Sequence, residues 1–421
     1  MKIPYVKRFN AKYKSIFAKN LKDLNPLEIN AYVDKKSNVH PIGYKEVIST
    51  ALSKSAEKIF GLSSGVFVYA SDDKIYAVSS NAFKQVGTKT FSAVPNILDV
   101  FVDGEKTALV LDGSGKGYKV SDDLKLTEVS GLPLGTVATV YNGMLFIAKE
   151  NQLYFSAPMG MTDFTMDLTR GGVVRTDESD GQIVALCVQN GKLLIFTENA
   201  IYSFSAYGER IDYSLKKIET DVPVINASSV KDCGEKTLFV SEQKLCSFVD
   251  GKIQILDSIL DGVKFIANGS SAVADGIYYI PVKQTSNDKK YFLRHDVKTD
   301  KECLIESAVA VIGDGGYTFD ANGKLTVVKS NASNTINIRF KLDEVDFNTP
   351  KEKVINEISA VCVGDGALTI SGEYGSSDFE LKDGNNVKRI NFPARTFNIE
   401  FSGKGAFNVK NVRIKYRIKG E

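Results

Sequence analysis

From about residue 65 the chain repeats one arrangement of hydrophobic and polar positions: an apolar strand, a short polar or Gly-containing turn, then a second strand with an aromatic or apolar anchor. Seven hairpins follow this pattern: GVFVYASDDKIYAV, TALVLDGSGKGYKV, GMLFIAKENQLYFS, GKLLIFTENAIYSFS, KTLFVSEQKLCSFV, GIYYIPVKQTSNDKKYFLRHD and GGYTFDANGKLTVV. Their anchors, Tyr76, Tyr118, Tyr154, Tyr202, Cys246, Phe292 and Leu325, are 42, 36, 48, 44, 46 and 33 residues apart. A four-stranded propeller blade occupies roughly 40 to 45 residues. One such blade exposes both faces of its sheet, and radial stacking buries them while leaving short protected edges. The pattern predicts a β-propeller over 61–330, with six or seven blades and seven preferred. Because the chain has no Trp, the WD signature is absent and the prediction rests on period and hairpin pattern.

After residue 330 the rhythm changes to longer alternating strands, such as TINIRFKLDEVDF, KVINEISAVCVG and NVRIKYRIKG. In the last of these Val412, Ile414, Tyr416 and Ile418 share one face and Arg413, Lys415, Arg417 and Lys419 the other, the period of a half-buried strand. An antiparallel β-sandwich is predicted over 331–421, joined through the turn-like KSNASN at 329–334. The first 60 residues, a basic N-terminal arm and lead-in segment, belong to neither pattern. Tyr5, Phe9, Tyr13, Phe17 and Leu21 recur every fourth residue, which predicts an amphipathic basic helix over 5–21. EVISTALSKSAEKI, 45–58, reads as a second helix or as a strand leading into the propeller.

Composition supports an all-β fold. Hydrophobic residues make up 43% and charged residues 25%, as in soluble globular proteins, and 18 Tyr and 24 Phe set among many Val, Ile and Thr favour strands. No apolar stretch approaches the roughly 18 residues that span a bilayer, and no apolar run near the N-terminus resembles a signal peptide. The expectation is a chain made and folded in a cytoplasm, without membrane insertion. Five scattered cysteines, Cys187, Cys233, Cys246, Cys303 and Cys362, form no CxxC pair and read as reduced small hydrophobes.

Candidate chemistry is sparse. The two histidines, His40 and His295, sit in unrelated segments, and Asp296 beside His295 points to the opposite face of a strand. DGSGKGY at 112–118 lacks the GxxxxGK spacing of a phosphate loop and reads as a hairpin turn. RTDESDG at 175–181 matches no calcium loop and reads as a solvated acidic loop. Carboxylate pairs for glycoside hydrolysis converge in space rather than in sequence, although the lack of Trp weighs against a sugar-hydrolysing site. These readings predict no catalytic residue, no metal site and no cofactor.

The clearest charge signal is at the N-terminus. Residues 1–22 hold seven of the 53 basic residues and none of the 51 acidic ones. Such a segment could follow a phosphate backbone, lie on an anionic membrane or dock on an acidic protein. Its aromatics supply apolar area for ordering on a partner. Tyr5, Lys7, Arg8, Phe9, Lys12, Tyr13, Lys14, Phe17, Lys19 and Lys22 are accordingly the predicted partner or nucleic-acid interface.

NQLYFSAPMGMTDFTM, 151–166, runs from a strand into a loop carrying Met159, Met161, Asp163 and Phe164. Fully exposed, that loop would be costly; it suits packing against the next blade or another subunit, or folding back under its own propeller. Leu153, Tyr154, Phe155, Ser156, Ala157, Pro158, Asp163 and Phe164 resemble a segment of tailed-bacteriophage virion proteins. The order of arm, propeller and sandwich is similar to that of the tail-nozzle and packaged-DNA stabilisation families, as is the closing stretch INFPARTFNIEFSGKGAFNVKNVRIKYRIKG. The resemblance implies a structural protein of a phage tail or head-to-tail connector, located in the virion and made in a bacterial host cytoplasm. Its partners would be other virion proteins in a homo-oligomeric ring, with possible contact to packaged DNA. A propeller-type binding module, a tail-tip adhesin or carbohydrate receptor-binding protein, is the alternative; a propeller enzyme with a central site is a third reading.

Overall fold

The computed structural model describes residues 13–102, 104–218, 225–256, 263–267, 269–285, 288–330 and 336–419. Contacts divide the chain into two units, one of Lys45–Lys301 with Ser307–Val328, the other of Met1–Tyr44, Glu302–Glu306 and Lys329–Glu421. The described residues are all-β, with three short 3-10 turns.

The first unit repeats a four-stranded antiparallel sheet. Its first five sheets each run in sequence order: Ala56–Leu62, Gly65–Ala70, Ile75–Ser79 and Ala82–Gln85; Asn96–Val102, Glu105–Leu111, Gly117–Val120 and Leu126–Val129; Val137–Tyr141, Met144–Lys149, Gln152–Phe155 and Gly172–Arg175; Ile183–Gln189, Lys192–Thr197, Ile201–Ser205 and Ser214–Ile218; Ile225–Asp232, Thr237–Ser241, Lys244–Val249 and Lys252–Leu256. In a sixth sheet Val263–Phe265 and Ala272–Ala274 both pair with Ile277–Gln284, which pairs with Lys290–Asp296. The seventh contains Ile312–Gly313, Tyr317–Phe319 and Lys324–Ser330, beside which lie residues 45–51. Each predicted hairpin is the second and third strand of one sheet, and each anchor sits on the third strand. The segment 45–58, open between helix and strand from periodicity, is strand at 45–51 and again from Ala56.

Neighbouring sheets meet through their first strands. Ala56–Leu62 lies against Asn96–Val102, that strand against Val137–Tyr141, and so on through Ile183–Gln189, Ile225–Asp232 and Ala272–Ala274 to Ile312–Gly313, which lies against Ala56–Leu62. Apolar clusters fill the spaces between sheets. Phe60, Phe67, Ile97 and Val110 join the first and second; Phe146, Phe155, Leu193 and Phe204 join the third and fourth. Ile48, Ile59, Phe319 and Leu325 join the seventh and first. Burying a side chain of this size contributes about 1.5–3 kcal/mol.

The second unit has two sheets over one core. Lys14–Asn20, Asn408–Ile418, Lys353–Val363 and Gly384–Ala394 form the first sheet; Leu27–Ile29, Asn337–Val345, Phe397–Lys404, Gly366–Gly372 and Gly375–Leu381 form the second, with Ile29 parallel to Leu304. Ile355, Ile358, Val412 and Ile414 from one sheet pack with Phe340, Leu368, Ile399 and Phe401 from the other.

The helix expected over 5–21 is corrected by this unit: Lys14–Asn20 is a strand, antiparallel to Asn408–Ile418. A spacing of four is a multiple of the strand period of two, so Tyr13 and Phe17 share a face in either conformation. A neighbouring strand decided between them, because six residues of the segment find ladder partners there. Tyr5, Lys7, Arg8, Phe9 and Lys12 lie outside the described residues.

Gly61 marks the tightest approach of the first and seventh sheets. A Cβ built there would stand 1.8 Å from the Asp314 carbonyl oxygen. Gly61→Ala is expected to destabilise the protein by about 3 kcal/mol in urea unfolding, an overpacking cost with backbone on the receiving side. Phe17→Ala, at an exposed site, serves as the control, with an effect within about 0.5 kcal/mol. An unchanged midpoint for Gly61→Ala would show that the two sheets are further apart.

A candidate anionic-ligand interface on a basic sheet face

The Lys14–Asn20 sheet of the second unit covers the core with one side only. Ile16 packs against the core and Ala18 is buried, whereas Phe17, on the other side, is 62% exposed. The register carries this outer face across all four strands. Phe17 stands opposite Arg413, Arg413 opposite Ser359, and Ser359 opposite Val387. The next row is Ser15, Lys415, Glu357 and Arg389. Arg417 faces Val354, and Lys410 faces Val361. Tyr13 completes the edge, with the Lys415 Nζ 4.8 Å from its ring centroid, a cation–π contact.

Lys19, Lys410, Arg413, Lys415, Arg417 and Arg389 thus stand on this face with none of the six in an ion pair among the described residues; Glu357 lies among them, and at the strand end Glu352 pairs with Lys419 at 3.0 Å. Exposed valines, Val387 beside the Arg413 row and Val363 at the strand end beyond Lys410, share the face. Side chains of one face repeat about every 6.7 Å along a strand, and strands lie about 4.8 Å apart. The result is a lattice of cations with apolar ground between, suited to a repeating anion that touches several at once.

Of the predicted interface residues, the structure brings Tyr13, Phe17 and Lys19 onto this face. Lys14 falls at a position of the opposite parity, facing Tyr416, and the Lys22 ammonium donates to the Lys35 carbonyl at 3.4 Å. Arg389, Lys410, Arg413, Lys415 and Arg417 were missed as part of one site. The alternation in NVRIKYRIKG had already placed three of them on one face; their adjacency to the N-terminal strand is a long-range pairing.

The 157–164 loop is packed within the first unit. Met161 is buried with Val100, Val102, Leu109 and Leu145 between the second and third sheets, and Phe164 packs on that cluster. The Phe101 N–H points to the Met161 sulfur at 3.1 Å. Asp163 shapes the turn, accepting from the Thr165 N–H at 3.0 Å, while Met159 is 80% exposed. The preceding motif residues are also structural: Leu153 and Phe155 are core, and the buried Ser156 hydroxyl accepts the Leu145 N–H at 3.0 Å.

The remaining candidates resolve into structural contacts. His40 stacks on Tyr32 and meets Asp34 at 3.1 Å; His295 meets Asp300 at 3.3 Å. The 112–118 segment is a hairpin turn in which Asp112 accepts the Ser114 N–H at 2.9 Å. The 175–181 loop differs from its reading as solvated, since Asp180 is buried, bonded by the Tyr202 hydroxyl and by Lys217 at 2.7 Å. All five cysteines are free thiols. Among the described residues no three His, Cys, Asp or Glu side chains gather as a metal set.

No family model and no curated protein matches the chain. Among solved structures it is similar to PorZ, a surface component of the type-IX secretion system of Porphyromonas gingivalis, at 11% identity over 80% of this chain and 46% of that one, with a TM-score of 0.43. The extracellular domain of a putative one-component system from Bacteroides thetaiotaomicron matches at 11% over 81% of this chain and 48% of that one, TM-score 0.44. The β-propeller domain of Cps50 (Swd1) from Myceliophteria thermophila matches at 11% over 67% and 99%, TM-score 0.46. This chain spans about half the length of the first two. At such values these similarities assign no family and transfer no role.

None of these proteins is a phage component, and the resemblance to tail-nozzle and packaged-DNA stabilisation proteins is corrected. With it go the structural virion role, the ring with other virion proteins, the contact with packaged DNA and the virion location. The physical reason lies in the motif: Leu153, Phe155, Ser156 and Ala157 are buried, so a strand that must pack and turn at this place would carry such residues in any protein.

A last charged group lies where the first strands meet. Lys58 of the first sheet, Lys231 of the fifth and Asp314 of the seventh interact electrostatically, and Lys231 meets Asp314 at 2.6 Å. Asp314 also accepts the Val273 N–H of the sixth sheet at 3.0 Å. Burial pushes the Lys58 ammonium down to about 8, the Lys231 charge adds to this, and Asp314 opposes it. With its folded value below that of the unfolded chain, Lys58 leaves the unfolded state binding more protons between about pH 8 and 10.5, so its contribution to stability rises with pH across that window. Lys58→Met is therefore expected to raise the thermal midpoint at pH 7, with a gain that shrinks as pH rises from about 8 to about 10.5. A gain constant from pH 6 to about 10.5 would mean that the ammonium is not disfavoured in the fold.

Proposed function

We propose that the protein is a non-catalytic binding module, a closed seven-bladed propeller joined to a β-sandwich, whose basic sheet face docks an acidic polysaccharide. The closed ring is supported by the contact of Ile312–Gly313 with Ala56–Leu62 and by residues 45–51, which complete the seventh sheet from the other end of the unit. A role without catalysis is supported by the engagement of both histidines in local stacking and ion contacts.

The observation that carries the ligand class is the face on which six cations stand without an ion pair among the described residues, with Glu357 among them and Glu352 engaged by Lys419 at its end. It is the outer side of a sheet and gives a small ligand little enclosure, whereas a polymer with repeating carboxylates can meet Arg413, Lys415 and Arg417 in succession. Exposed contacts of this kind give only about 0.2–1 kcal/mol each, and repetition makes them add. Val354, Val361 and Val387 offer apolar ground to sugar rings. A nucleic-acid platform would use central aromatics for stacking; here the aromatics stand at the edge strand, and the Tyr13 ring is already covered by Lys415.

Immobilised polyglucuronate is expected to bind the protein, and binding should weaken as ionic strength rises from about 0.05 to about 0.3 M. Arg413→Ala with Lys415→Ala should lower affinity about ten-fold, the sum of two exposed charge contacts, with the thermal midpoint unchanged. Neutral dextran should not bind. Equal binding of dextran, tighter binding of a single-stranded oligonucleotide of matched charge, or indifference to the double substitution would each overturn the reading.

A further inference from the structure

The packing between the fourth and fifth sheets does not reach the rim of the unit. Leu194, Phe196, Ile201, Phe239 and Phe248 close the interior, and beyond them the sheets part into a cleft of about 830 Å³. This lies within the roughly 300–1,000 Å³ of small-molecule sites, which combine an apolar lining with a few directed polar groups.

Strand register orders the cleft from floor to rim. On the fourth sheet Leu194 stands opposite Ser203 and Ser203 opposite Lys216, so the three share one face in a row from the apolar interior outward. Ile218 lies beside them, and Phe248 of the fifth sheet supplies the facing wall. Gln189 closes one end, donating from Nε2 to the carbonyls of Glu235 at 3.3 Å and Phe248 at 3.2 Å. Lys192, Asn190 and Asp250 stand at the mouth, the last two in turns at φ 47° and 49°.

Apart from Gln189, three of these polar groups are uncommitted. Among the described residues the ammonium groups of Lys192 and Lys216 form no ion pair and the half-buried Ser203 hydroxyl forms no hydrogen bond. Lys217, by contrast, is held by Asp180 at 2.7 Å on the other face. Two free cations above a hydroxyl and an apolar floor call for a ligand with a carboxylate at one end, hydroxyls along its edge and an apolar face.

We propose that this cleft binds a single hexuronate residue. Its carboxylate lies between Lys192 and Lys216, its hydroxyls meet Ser203, Asn190 and Asp250, and one ring face rests on Leu194 and Phe248. The ligand class rests on the reading of the protein as an acidic-polysaccharide binder, but the site is in the other unit and takes one sugar rather than a chain.

Titration of the full chain with glucuronate, glucose and acetate, followed by NMR or calorimetry, tests the cleft. Glucuronate is expected to bind at least about ten-fold more tightly than either control, since glucose lacks the charge and acetate the ring. Lys216→Gln should weaken glucuronate binding about ten-fold, the loss of one charge-assisted hydrogen bond, with the thermal midpoint retained. Arg413→Ala with Lys415→Ala should leave it unchanged, so that failure of the sheet face toward the polymer is separable from failure here. The proposal is overturned if acetate binds as tightly as glucuronate, if Lys216→Gln has no effect, if the sheet-face variant abolishes binding, or if glucuronate does not bind.

Discussion

A four-stranded antiparallel sheet with two apolar faces is stable only when both are covered, and the first unit depends on that constraint. Each interior sheet is covered by the one before and the one after. Phe146, Phe155 and Phe204 meet at centroid distances of 5.8 to 6.4 Å between the third and fourth sheets. Phe196 and Phe239 meet at 5.4 Å between the fourth and fifth. The first and last sheets of a linear stack would each leave a face in water. Ile59 and Val68 of the first sheet instead share an apolar cluster with Phe319 and Leu325 of the seventh.

Several polar side chains in this unit tie one sheet to the next. Asp99 of the second sheet accepts the Ser63 N–H at 3.0 Å and the Ser64 hydroxyl at 2.5 Å from the first. Tyr141 of the third sheet donates to the Gly191 carbonyl of the fourth at 2.8 Å. Asp314 serves two sheets through Lys231 and Val273. The Tyr141 and Asp314 ties are part-buried, where loss of a partner is costly, so they resist sliding of one sheet over the next. Between the fourth and fifth sheets Gln189 and the apolar cluster hold the interior, and a cleft opens beyond them.

The second unit solves a different problem. Two sheets over one core need only one covered face each, and an antiparallel sheet accepts water on the other. The outer face of the Lys14–Asn20 sheet is therefore free of packing demands and can carry charge without a desolvation penalty. That freedom does not by itself produce a run of cations. An excess of basic over acidic residues on a single face raises the local potential and draws anions, at a modest cost in self-repulsion.

Much of this was legible from residue order. The seven hairpins and their anchors are local features, set by alternation and turn residues a few positions apart, and every one is present as an antiparallel pair. Alternation likewise placed Arg413, Lys415 and Arg417 on one side of their strand. The N-terminal segment shows where local pattern ran out, because a repeat of four fits a helical stripe and a strand face equally well. Its strand conformation came from Asn408–Ile418, almost four hundred residues away, which supplied the ladder partners. The same distance hid the composition of the basic face, and the cleft depends on how two separate sheets part. The phage resemblance failed for a related reason: a short packing motif records what a strand must bury and leaves its purpose unstated. Sequence alone determined the repeating strands and which side chains share a face. Only tertiary structure decided which faces meet and which remain open to a ligand, since that depends on partners that periodicity does not encode.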